Sequence, residues 1–206
     1  RTPEFSDEMT HMVVNPTWNV PRSIATKEYL PMLKRDPNAV SHINLIDASG
    51  RIVNREAVDF TQFTPQTFPF DMKEPPSRGN ALGLVKFMFP NRYNIYLHDT
   101  PHKSLFSREV RAYSHGCVRL HRPFEFAYTL LERQTGDPEG LFKAKLDTGL
   151  ETVIPLEQAV PVHLVYWTAW VDPKGRVNYR RDIYGRDGRV FDALRDAGVE
   201  LRAIRG

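Results

Sequence analysis

The stretch "YSHGCVRLH", Tyr113 to His121, holds the single cysteine of the chain, Cys117, among two histidines, a glycine and an arginine. A thiol attacks a carbonyl carbon as thiolate, and free cysteine is mostly protonated at neutral pH. A catalytic cysteine therefore needs a base or a positive field beside it. Histidine supplies both, and His98, His102, His115 and His121 are the candidates. His115 lies two residues before Cys117, with Gly116 between them to make a turn. His98 ends the run "YNIYLH" nineteen residues upstream and reaches Cys117 only if the two segments pair or pack. Spacing leaves the choice of base open. Backbone N–H groups in a turn at Gly116 can form an oxyanion hole for a tetrahedral intermediate. Arg119, two residues past the cysteine, can bind a carboxylate or lower the thiol pKa.

Each of these residues also has a plainer reading. A lone cysteine can be an inert, buried small hydrophobe. His98-x3-His102 and His115-x-Cys117 offer N and S metal ligands, but the paired cysteines of structural zinc sites are absent. Tyr96 alternates with His98 and suits packing, and Trp167 and Trp170 suit a core or a groove. The order His98 then Cys117 is the reverse of the papain-like order.

The elements that must position these residues read as mixed α and β. With 206 residues, 41% of them hydrophobic, the chain is long enough for one large domain with a real core. The formal charge of +3 is too mild to argue for nucleic acid. Charge is nevertheless uneven: Lys86 to Arg122 contains seven Lys or Arg against Asp99 and Glu109, an excess of +5 around the cysteine. A single cysteine excludes an internal disulfide. The most apolar run, 160–171, is far shorter than the roughly 20 residues of a membrane helix. The opening "RTPEFSDEM" shows no signal-peptide pattern.

Sixteen scattered prolines favour short elements over a helix bundle. Strands are expected at 10–15, at 82–89 and 93–98 joined by "PNR" as a hairpin, and in "VHLVYWTAWVDPKGRVNYR" around a Pro-Lys-Gly turn. "HINLIDASGRIVN" reads as two short strands around Ser49-Gly50. Helices are expected over 21–37 with an interruption at Pro31, from Pro123 to a stop at Gly136, and in "DGRVFDALRDAG" with Gly198 as its cap. The Pro- and Phe-rich stretch 60–80 has no period, and the region from Glu28 to Gly79 is expected to be an insertion acting as a lid.

The residues 95–127, "IYLHDTPHKSLFSREVRAYSHGCVRLHRPFEFA", closely resemble the signature of the L,D-transpeptidases of YkuD type: a histidine, fifteen residues, then Ser-His-Gly-Cys, Val and Arg or Asn. "NALGLVKFMFPN", "VYWTAWVDPKGRVNYRRDIYGRD" and "EFSDEMTHMVVNPTWNVPRSIA" resemble the YcbB-like branch, whose members carry a large inserted lid. The resemblance implies a mainly β catalytic domain over 1–206, short helices, a substrate-capping lid at 28–79 and further strands upstream of residue 1. It implies Cys117 as nucleophile and His98 as base, with the backbone N–H groups of Gly116 and Cys117 as the oxyanion hole. His115, Arg119 and Tyr96 would line the site, and Ser114 would shape its turn.

The chemistry so implied is acyl transfer on peptidoglycan stem peptides. Cys117 would attack the carbonyl between the position-three diamino acid and D-Ala at position four, release D-Ala and hold the donor as a thioester. A neighbouring stem's amine would resolve it to a 3→3 cross-link, while water would give carboxypeptidase activity. Arg119, Arg111 and Lys86 are the candidates for substrate carboxylates. No metal or organic cofactor is implied. The expected setting is the bacterial periplasm, the expected inhibitors are carbapenem-type β-lactams, and peptidoglycan synthases are conceivable partners. Attachment of a protein to the wall, or a silent peptidoglycan-binding module, are the competing readings. Arg119 stands where simpler members have Asn, which fits the lid-bearing branch.

Overall fold

The computed structural model describes residues 1–199. Its centre is a five-stranded sheet in the order β7-β6-β5-β1-β8. The strands are β1 (Phe5–Val14), β5 (Val85–Met88), β6 (Leu97–His98), β7 (Val118–Arg119) and β8 (Thr152–Leu164). All neighbours are antiparallel except β6 and β7. β1 begins five residues before the expected 10–15, because Phe5 to Met9 pair with Leu164 to Val160 of β8. β8 contains Pro155 and Pro161, which cannot donate to a ladder, and it lies at the sheet edge where that is tolerated.

One face of this sheet is covered by α3 (Pro123–Leu131) and α4 (Pro138–Leu146), with Met9, Met12, Phe87, Phe89, Leu131 and Phe142 in the shared core. Side chains of this size each stabilise the fold by about 1.5–3 kcal/mol when fully buried. Pro123 occupies the first turn of α3 as expected, but the helix ends at Leu131, five residues before Gly136. α4 was not legible from apolar spacing, since Phe142 is its only buried side chain. Its signal is local: Asp137 accepts the Gly140 N–H as a cap and Pro138 follows at the first helical position.

A second unit is inserted between β1 and β5. It has its own three-stranded sheet, β2 (Trp18–Asn19), β4 (Asp71–Glu74) and β3 (Asn44–Ile46), in the order β2-β4-β3. It also has its own core, including Leu30, Leu33, Ile43, Phe60, Phe68 and Met72. The unit thus starts at Trp18, upstream of the expected Glu28, because β2 pairs with the closing strand β4. The aperiodic phenylalanine run is that core: Phe63, Phe68 and Phe70 meet edge to face at 5.5–6.1 Å between centroids. Arg22 lies over the Phe68 ring and donates to the carbonyls of Pro65, Phe68 and Phe70, which fixes the loop without regular structure.

Pro31 does not interrupt the helix of this unit. α1 (Arg22–Ile24) and α2 (Leu30–Leu33) are joined by a π turn, Ala25–Tyr29, just ahead of the residue that has no N–H to give. Asn44–Ile46 and Ile52 pair around the Ser49-Gly50 turn only through a single bridge.

The C-terminal part is a hairpin of β9 (Ala169–Val171) and β10 (Val177–Tyr179), then α5 (Arg186–Asp196). Gly198, at φ 78°, closes α5 as expected. Tyr166 and Tyr184 stack at 4.8 Å, and Arg186 lies over both and pairs with Glu4 at the start of the chain. Among the described residues no helix is long and apolar enough to cross a membrane.

Candidate active site around Cys117

Cys117 and His98 are carried on adjacent segments by the parallel pair β6/β7. His98 is opposite Arg119 and Leu97 is opposite Val118, so Cys117 leads directly into β7. Val118 N–H donates to the Tyr96 carbonyl at 3.1 Å and Leu120 N–H to the His98 carbonyl at 2.8 Å. Parallel neighbours need a long crossover. Here the connection is residues 99–117, which carry only a 3₁₀ turn, Lys103–Ser107. The expected hairpin between β5 and β6 forms, but its connection runs from Phe89 to Tyr96 rather than through Pro-Asn-Arg alone. Asn91 holds that loop by donating to the carbonyls of Phe89 and Ile95 and accepting from the N–H groups of Tyr93 and Ile95.

His98 is 4% exposed. Its Nδ1 faces the Asp99 carbonyl, and a carbonyl only accepts, so Nδ1 carries the proton and Nε2 is left as an acceptor. Burial pushes the imidazole pKa down to about 4; the Asp99 carbonyl opposes this and Arg119 adds to it. Burial likewise raises the Cys117 thiol, against the Tyr96 backbone and hydroxyl and the Arg119 charge, which lower it. At neutral pH the resting pair is therefore thiol and neutral imidazole. Sγ lies 3.8 Å from the Asn94 carbonyl and donates to it; His98 is not among its hydrogen-bond partners in this arrangement.

The turn before Cys117 is tightly made. Ser114 Oγ accepts the Gly116 N–H at 2.8 Å and donates to the Cys117 carbonyl. The Gly116 carbonyl accepts from Thr2 Oγ1 at 2.8 Å. A Cβ on Gly116 would stand 2.6 Å from Ile95 Cδ1. Ser114 thus shapes the turn, and it also occupies the Gly116 N–H that the resemblance assigns to an oxyanion hole, whereas among the described residues no other residue accepts from the Cys117 N–H.

Two cavities meet at Cys117. One, of about 490 Å³, lies between the inserted unit and the central sheet and is lined by His98, Tyr96, Cys117, Arg119, Glu28 and Tyr29. The other, of about 280 Å³, is lined by Phe106, Arg111, Tyr113 and Tyr184 and shares Cys117 and Arg119. Arg119 Nη1 donates to the Tyr113 carbonyl at 3.2 Å, while its buried Nε has no partner. Tyr96 is held neutral by burial and by the adjacent thiol, and its ring meets His98 edge-on at 6.0 Å.

The other sequence candidates are placed differently. Lys86 lines neither cavity: it is half-buried, with its ammonium 5.9 Å from the Tyr96 ring centroid, and burial lowers its pKa. His115 is exposed, and its Nε2 lies 2.8 Å from Glu28 of the inserted unit. His121 packs on Phe106 at 5.0 Å, and neither it nor His102 lines a cavity with Cys117. Among the described residues no group of three or more His, Cys, Asp or Glu converges as a metal site.

Two positioning residues escaped the sequence reading. Asp99 is buried, accepts the Leu84 N–H at 2.9 Å and pairs with Lys103 Nζ at 2.6 Å. Lys103 also donates to the carbonyls of Leu120 and His121, each at 3.2 Å, tying the end of β6 to the end of β7. The only available signal was the Asp-x3-Lys spacing directly after His98.

A family model described as the L,D-transpeptidase catalytic domain, YkuD, matches residues 1–150. The chain belongs to the L,D-transpeptidase family. A protein from Haemophilus influenzae named "Putative L,D-transpeptidase" is 35% identical over 192 residues, covering 92% of this chain and 38% of that relative. The chain therefore spans well under half of that relative's length. The matched region ends before β8, yet β8 completes the sheet through its long pairing with β1.

Proposed function

We propose that this chain forms 3→3 cross-links between peptidoglycan stem peptides through a thioester on Cys117. The observation that carries the reading is that Cys117 lines one cavity together with a buried imidazole whose Nε2 is free to accept, and opens onto a second cavity. A transpeptidase must hold a donor and an acceptor at one sulfur, and two cavities meeting there supply the room.

In this mechanism donor binding turns Sγ from the Asn94 carbonyl toward His98 Nε2, a contact that apo geometry often leaves unmade. Proton transfer to His98 accompanies attack, since thiol and imidazole are both neutral at rest. The oxyanion develops beside the Cys117 N–H, with the Tyr96 hydroxyl, kept protonated, as a second donor nearby. His98 then protonates the departing D-Ala amine. In the second half an acceptor amine attacks the thioester, gives its proton to His98, and Cys117 leaves as thiol. Arg119 and Arg111, which border the cavities, are the cations that hold stem carboxylates. The inserted unit acts as the lid over the first cavity. The setting is the bacterial periplasm, and carbapenem-type β-lactams acylate the same sulfur.

Intact-mass spectrometry after carbapenem treatment tests the nucleophile: one adduct is expected on the unsubstituted protein and none on Cys117→Ala. Incubation with a tetrapeptide muropeptide tests the reaction, and cross-linked dimers with free D-Ala are expected. Tripeptide without dimers would make the enzyme a carboxypeptidase.

A further inference from the structure

The wall that the inserted unit gives to the Cys117 cavity contains one charged residue, Glu28, on the π turn Ala25–Tyr29. Among the described residues Glu28 is also the only carboxylate lining that cavity; the other ionisable residues lining it include His98, His115 and Arg119. A carboxylate in such a place works against a substrate that carries carboxylates, so it calls for a cationic ligand. Its contact with His115 Nε2 at 2.8 Å leaves both side chains half-exposed or more, at 50% and 63%. Exposed pairs of this kind are weak, so an incoming cation displaces the imidazole at little cost.

We propose that Glu28 forms the subsite for the protonated side-chain amine of the acceptor stem, exchanging His115 for the ligand's ammonium. The proposal rests on the transpeptidase reading. His115 lies two residues from Cys117, so a cation taking its place at Glu28 is delivered beside the thioester. The bound ammonium loses one proton to solvent. The neutral amine then attacks the thioester carbonyl: the C–N bond forms, the C–S bond breaks, and the surplus amine proton passes through His98 to the Cys117 sulfur. Water carries no charge and makes no use of this subsite, so Glu28 favours aminolysis over hydrolysis.

The test uses a donor tetrapeptide whose own amine is acetylated and a tripeptide acceptor with a free side-chain amine, with dimer and hydrolysed donor measured by mass spectrometry. Glu28→Gln is expected to raise the acceptor KM about ten-fold and shift product toward hydrolysis, while carbapenem acylation of Cys117 stays within about two-fold. Glu28→Asp is expected to recover part of the loss. An unchanged acceptor KM would overturn the proposal. So would an equal slowing of acylation and aminolysis, which would make Glu28 only a tie between loop and insertion. Calorimetric binding of the acceptor tripeptide to Cys117→Ala, with and without Glu28→Gln, reads the subsite even if no thioester forms, so the two readings fail separately.

Discussion

His98 shows how burial sets a protonation state and, with it, acid sensitivity. Its folded pKa, about 4, lies below the ordinary 6.5. Between those values the unfolded chain binds a proton that the native state does not, so stability falls as pH drops from about 6.5 to about 4. The shift corresponds to about 3 kcal/mol. Chemical denaturation across that window should show this loss, and His98→Gln should remove most of that slope. The same pKa predicts that kcat/KM for Cys117 acylation holds down to about pH 5 and declines near 4, because only the neutral imidazole accepts the thiol proton. His98→Gln should slow acylation by roughly 1,000-fold. The raised thiol predicts slow alkylation of Cys117 by iodoacetamide at pH 7, with the rate climbing at more alkaline pH than for a free thiol.

The junction of β6 and β7 is where two very short strands do the work of alignment. Each is two residues long, so the pairing alone is a weak guarantee of geometry. The Asp99–Lys103 pair and the two carbonyls that Lys103 also holds supply the rest. Lys103→Met leaves a buried carboxylate without its partner and should cost about 2 kcal/mol of stability. It should also lower kcat more than it raises KM, as single-turnover acylation would reveal, with Lys103→Arg partly restoring both. Gly116→Ala forces a Cβ into Ile95 and should destabilise the turn by about 2 kcal/mol, with near loss of acylation. Thermal unfolding and adduct formation measure the two effects.

At the scale of the whole molecule the chain is two cores joined at one place. The inserted unit has its own sheet and its own apolar cluster, and its ends lie side by side because Asn19 faces Lys73 across β2 and β4. Replacing residues 20–72 with a two-residue Asn-Gly turn should therefore leave the central sheet folded. That variant should expose Cys117, speed its alkylation and reduce dimer formation more than hydrolysis. Circular dichroism, alkylation kinetics and product analysis check these outcomes together. Among the described residues the C-terminal part reaches the site through Tyr184, which lines the second cavity and is held by stacking on Tyr166 and by Arg186.

The sequence by itself determined the family, through the signature around its lone cysteine, and most strand-forming runs, because these depend on residue type and on spacing along one segment. It also carried the presence of an insertion, as a stretch without period. It did not determine where that insertion starts, since β2 is recognisable as part of it only through its partner β4, more than fifty residues away. Nor could it place Lys86 beside Tyr96, give the Gly116 N–H to Ser114, or bring Glu28 to His115. The first two depend on how the strands and the turn of the central unit aim their side chains, which residue type and spacing do not give. The third was decided only by the packing of the inserted unit over the β6/β7 junction.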